Sequence, residues 1–75
     1  MKNFIQTYPG HTIWELNIIT QEIGAYWNYQ KLPGNIVSVE KNQTSWYCSA
    51  LNKDAAFRKF NARAKRAYKK LNPDQ

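Results

Sequence analysis

Few side chains in this chain could do covalent or metal chemistry. There is one histidine, His11, and one thiol, Cys48. Four-coordinate zinc needs four ligands at recognisable local spacing, which this pair does not supply, so no metal or other cofactor is expected. A Cys–His nucleophile would need a third group to orient the base, and no such residue stands out. Glu15 and Glu22 fall on one side of a helix if one runs there, but helix capping already accounts for Glu15. Gly10, Gly24 and Gly34 are isolated, so no glycine-rich phosphate loop is present. The residues point away from an enzyme.

The cations are organised differently. Arg58, Lys59, Arg63, Lys65, Arg66, Lys69 and Lys70 lie within one predicted amphipathic helix spanning about 53–71. At about 100° per residue, Ala56, Phe57, Phe60, Ala64, Ala67, Tyr68 and Leu71 share its apolar face, and the seven cations spread over the remainder. No acidic residue occurs between Asp54 and Asp74. Residues 1–52 balance Lys2, Lys31 and Lys41 against Glu15, Glu22 and Glu40, so the whole formal charge of +6 resides in residues 53–75. Solvated helix faces usually mix signs, with Glu placed to pair Lys or Arg one turn on. An unmixed face implies a polyanionic partner, and clustered Lys and Arg suit phosphates whose counterions they release. Arginine forks can also read guanine edges, so Arg58, Arg63 and Arg66 could add base contacts.

The elements that must position these residues can be read coarsely. Tyr8-Pro9-Gly10-His11 marks a turn. Thr12-Ile13-Trp14-Glu15 then has the form of a capping box, which predicts a first helix from about Ile13 to Lys31, stopped by Leu32-Pro33-Gly34-Asn35. Wound as a helix, this segment carries two apolar stripes. One holds Leu16, Ile19, Ile23, Tyr26 and Trp27; the other holds Trp14, Ile18, Ala25 and Tyr29. Two stripes require burial on two sides, so Trp14, Ile18 and Tyr29 are candidates for a homodimer or protein-partner interface. Ile18-Ile19-Thr20 and Gly24 count against a helix here.

Ile36 to Leu51 reads as a hairpin with Lys41–Thr44 as its loop. Val39 then faces Trp46 and Val37 faces Cys48 on one side, with Ser38 and Tyr47 on the other, solvent side; there Tyr47 could stack on an unpaired base, but packing against an end of either helix is the favoured reading. Cys48 is expected to be a small buried hydrophobe. Asn52 or Asp54 caps the basic helix, and Asn72-Pro73 ends it. A short strand before Pro9 completes a β-α-β-β-α order. The expected fold class is α+β, a small antiparallel sheet with two helices; the alternative is an all-α bundle with an irregular middle.

At 75 residues the chain makes one domain, near the lower limit for a disulfide-free core. Three Trp, five Tyr and three Phe offset that small size with large buried areas. A single cysteine rules out an intramolecular disulfide. No apolar run is long enough to span a membrane, and the start turns polar too early for a secretory signal, so a cytoplasmic location is expected. A surface-lying membrane helix fits poorly, because Phe57 and Phe60 are needed for the core. The expected role is a small nucleic-acid-binding accessory or regulatory protein, for DNA or RNA. The alternative is a protein-interaction factor, an inhibitor or adaptor, docking on an acidic partner surface.

Overall fold

Six strands precede one helix: β1 Lys2–Gln6, β2 Thr12–Asn17, β3 Ile23–Ala25, β4 Gln30–Leu32, β5 Ile36–Glu40, β6 Ser45–Ala50 and α1 Lys53–Leu71. This is a computed structural model, describing the backbone of residues 1–71 and the side chains of residues 1–67. The strands form two antiparallel three-stranded sheets, ordered β1-β5-β4 and β3-β2-β6. The α+β class holds, with one helix rather than two among the described residues. The all-helical alternative fails.

The segment expected to be the first helix is instead β2, β3 and β4. Its two apolar stripes do not survive as faces: Trp14 and Leu16, one from each stripe, both point toward α1, and Ile18, Ile19 and Trp27 are exposed. Side chains alternate along β2: Ile13 and Glu15 point toward the first sheet, Trp14 and Leu16 toward α1. In β6, Ser45, Tyr47 and Ser49 share the first direction, and Trp46, Cys48 and Ala50 share the second. The sheet β3-β2-β6 is therefore the middle of three layers. β-Branched and aromatic residues fit such a pleated, doubly covered surface, which overrides the weak capping box at Thr12.

β5 and β6 occupy the expected residues and are joined by the expected loop, yet they do not form a hairpin. β5 pairs with β1 and β4, and β6 pairs with β2. The loop 41–44 carries the chain from one sheet to the other. Val37 and Val39 accordingly pack with Ile13 and Tyr47 between the sheets, not with Trp46. Tyr47 packs, as expected, but between the sheets and not at a helix end: it is buried, with its ring edge-on to Tyr26 at 4.9 Å.

Two turns are set by Pro-Gly pairs. His11 N–H donates to Tyr8 O at 3.0 Å, and Gly10 has φ +81°, the geometry of a type II turn with Pro9 at its second position. Gly34, at φ +80°, does similar work between β4 and β5. At the β2–β3 tip the Asn17 carboxamide oxygen accepts from Ile19 N–H at 2.9 Å and Thr20 N–H at 3.1 Å. That loop leaves Ile18 and Ile19 exposed.

The helix starts where the sequence predicts. Asn52 Oδ1 accepts from Ala55 N–H at 2.9 Å, so Asn52 is the cap. Ala56 and Phe60 are buried with Ala50 against Trp14, Leu16, Ile23, Trp46 and Cys48. Phe57, expected in the same packing, is 57% exposed, and Ile19 is exposed as well. The expected packing of Tyr68 and Leu71, and the stop at Asn72-Pro73, lie outside the described residues. No helix among the described residues is long and apolar enough to cross a membrane.

Candidate nucleic-acid interface

Docking through Ala56 and Phe60 divides the helix cations into two groups. At 100° per residue, Lys59, Arg63 and Arg66 follow one another along the flank nearest β6. Arg58 and Lys65 face directly away from the sheet. All five side chains are exposed. Lys69 and Lys70, the remaining candidates, have side chains outside the described residues.

The flank is partly anchored to β6. Lys59 Nζ donates to the carbonyl oxygen of Ser49, and the Arg63 guanidinium carbon lies 4.4 Å from the Trp46 ring centroid. A guanidinium over an indole face is attracted by the ring quadrupole and loses rotamer freedom before any ligand arrives. Among the described residues the ion pair is that of the Met1 ammonium with Glu40, at 3.5 Å, and no helix cation is in one. The carboxylates lie elsewhere: Glu15 accepts from the Tyr47 hydroxyl at 3.2 Å, Glu22 sits at the β2–β3 tip, and Asp54 is in the first helical turn.

Beside this flank, where β1 passes β6, is a groove of about 400 Å³ lined by Asn3, Phe4, Lys41, Gln43, Trp46 and Arg63, among others. Phe4 is 69% exposed. Neither Phe4 nor Trp46 was singled out from sequence as a site residue. The signal available was only that edge-strand aromatics and a cationic helix occur in one small chain. Lys41 lay in a loop whose neighbour across space could not be known.

The three interface candidates of the expected first helix separate. Trp14 packs under α1 and its indole N–H donates to Ala50 O at 3.1 Å. Tyr29 packs against the cluster between the sheets. Ile18 lies beyond the end of β2 and is 39% exposed. The stripe that grouped them does not form.

His11 and Cys48 also part, because adjacent residues of β6 point to opposite faces. His11 Nδ1 lies 2.9 Å from Ser49 Oγ, and the Ser49 hydroxyl donates to Thr7 Oγ1 at 3.1 Å, which ties β6 to the end of β1. Cys48 faces α1, on the Trp46 side as expected. Burial pushes its thiol up to about 11, against a smaller opposing pull from Lys59. Burial, then the Glu15 charge and hydrogen bond, push Tyr47 up to about 12. Both groups are thus favoured in their neutral forms by folding. The stability they contribute is complete below about pH 9 and is lost as pH rises through 9–12, where the unfolded chain ionises first. Thermal melts from pH 8 to 12 should show that decline, and a Tyr47→Phe/Cys48→Ala variant should show a shallower one. Equal pH slopes for the two proteins would contradict it.

Comparison of the chain with protein-family models, curated proteins and solved structures finds no match in any of the three.

Proposed function

We propose that this chain is a nucleic-acid-binding protein that tracks the phosphate backbone with the Lys59, Arg63 and Arg66 flank of α1. The observation that supports this reading most is the absence of ion pairing on that helix among the described residues, where Asp54 sits in the first turn on the side away from the flank. Unpaired like charges on one helix repel, so the arrangement is costly unless an anion binds there. Phosphates spaced along a strand are the ligand that rewards a row of cations one turn apart. An accessory or regulatory role suits a chain in which the lone His11 and Cys48 lie at opposite faces of β6.

Fluorescence anisotropy against short DNA and RNA, single-stranded and duplex, tests this directly. If five phosphates are engaged on duplex DNA, log K should fall against log salt with a slope of about −4.5. Absence of binding to every oligonucleotide at low salt, or affinity indifferent to salt, would overturn the reading.

A second reading, docking on a protein partner, has one observation in its favour. On the opposite flank of α1, Phe57 and Ala64 border an apolar groove of about 350 Å³ that also touches Leu16, Ile18 and Phe60. Exposed Phe57 and Ile18 beside such a groove resemble interface anchors. Flat oligonucleotide binding would move the weight of the argument to that side.

A further inference from the structure

We infer that a second copy of this chain covers the apolar groove between α1 and the β2–β3 tip, each copy seating its Phe57 in the groove of the other. The inference is independent of the nucleic-acid reading and concerns the opposite flank of α1.

Leu16, Ile23, Trp46 and Phe60 floor the groove, and its rims are exposed. Phe57 on the helix side is 57% exposed; Ile18 at the tip is 39% exposed and Ile19 beside it 73%. A contact with two-fold symmetry buries the same patch on both copies, so that patch must hold a projection and a hollow together. Phe57 is the projection. The hollow lies beside Ala64, whose methyl leaves room for a ring. Phe57 and Ala64 are two helical turns apart on one line of α1. Two antiparallel copies of α1, related by an axis between Phe60 and Asn61, therefore set each Phe57 against the other copy's Ala64. The same operation brings the two Ile18–Ile19 tips to one side of the pair.

The charges on this face suit a copy of itself better than a ligand of one sign. Asp54 and Lys65 fall within about 20° of one another around the helix, on the side of the Phe57–Ala64 line away from the sheet. Residues on the same side of two antiparallel helices meet, so each Asp54 comes within reach of the other copy's Lys65. Lys53 and Glu22 share a smaller hollow with Phe57, so both signs are present at that end as well. Arg58 points further out from the contact. Lys59, Arg63 and Arg66 lie on the far side of α1, so the two copies do not meet across their most basic surfaces. Phe57 is then the anchor, and the Asp54–Lys65 pairs fix the antiparallel register.

Sedimentation equilibrium of the full chain, from micromolar to millimolar at physiological ionic strength, should show a monomer–dimer equilibrium. Phe57→Ala should weaken the dimer at least about tenfold, because two anchors are lost at once. Its melting temperature, taken at a dilution where the parent is monomeric, should match the parent's. Asp54→Lys should oppose like charges and weaken the dimer, as should Lys65→Asp. The double variant Asp54→Lys/Lys65→Asp should recover the parental affinity. It still lacks an acidic residue in the first helical turn, so that recovery cannot come from a firmer helix. A chain monomeric throughout the range overturns the inference and leaves the groove to a foreign protein. A dimer unmoved by Phe57→Ala, or one that the double exchange fails to restore, places the contact on another face and overturns it equally.

Discussion

Phe60→Ala should cost about 3–5 kcal/mol, enough to leave much of the protein unfolded at 37 °C. Phe60 is 3% exposed and is the large side chain through which α1 reaches the middle sheet. Its neighbours are Leu16, Ile23 and Trp46 on rigid strands, so the space it vacates can close only if the helix itself shifts. The other buried cluster, Ile13, Val37, Val39 and Tyr47, lies on the far side of the middle sheet and cannot close around the vacated space. Phe57→Ala is the control. Phe57 is one helical turn away and over half exposed, and its removal should stay within roughly 0.5 kcal/mol of the parent. Chemical denaturation of the two variants decides the matter. Similar midpoints for Phe60→Ala and the parent would show that the helix is not docked through this ring.

The second large effect concerns ligand affinity. Arg63→Glu/Arg66→Glu and Arg58→Glu/Lys65→Glu change the net charge of the protein equally, but on different sides of α1. If only the overall field matters, the two variants should lose affinity alike. If the flank facing β6 holds the phosphates, the first should lose at least about tenfold more than the second, and its salt slope should become shallower by about 2. Arg63 also rests on Trp46, a contact worth about 0.5–1 kcal/mol at an exposed site, so the melting temperature of each variant must accompany its binding curve. Equal losses in both variants would remove the flank as the contact surface.

The helix and its start were legible because local signals decide them. Asn52 supplies the cap, and the apolar period through Ala56 and Phe60 has no competing pattern. The limits of β5, β6 and their loop were legible for the same reason, since alternation and β-branching are properties of short windows. Their partners were not. A strand finds its neighbour by which faces need covering, and adjacency in sequence is only a tendency. The error over residues 13–31 was of another kind. Trp14 and Leu16 alternate with Ile13 and Glu15, and both sets are at least half-buried because two layers flank β2. When both faces of a strand carry apolar groups, the period-two contrast fades and a helical wheel can accommodate the residues. Ile18-Ile19-Thr20 and Gly24 were the dissenting signals, and they mark the tip and the short return strand of a hairpin. For the site, the chemistry of α1 was legible, while the division of its cations was not. Which side of a helix docks depends on Trp46 and Ser49, which come from another strand.

The switch of sheet at residues 41–44 also constrains how fast this chain can reach its native state. Only β2–β3 and β4–β5 are closed by short connections. β1 must wait for β5, as Lys2 pairs with Glu40, and β2 must wait for β6, as Thr12 pairs with Ala50. Each sheet therefore has its central strand completed by a partner from far along the chain, and neither long loop closure is repaid until both strands are in place. Contact order of this kind places folding in the millisecond-to-second range, despite the small size of the chain. During synthesis the same topology leaves β1 unpaired until residue 40 has emerged and one edge of β2 open until residue 50, and the helix that covers Trp14 and Trp46 follows them.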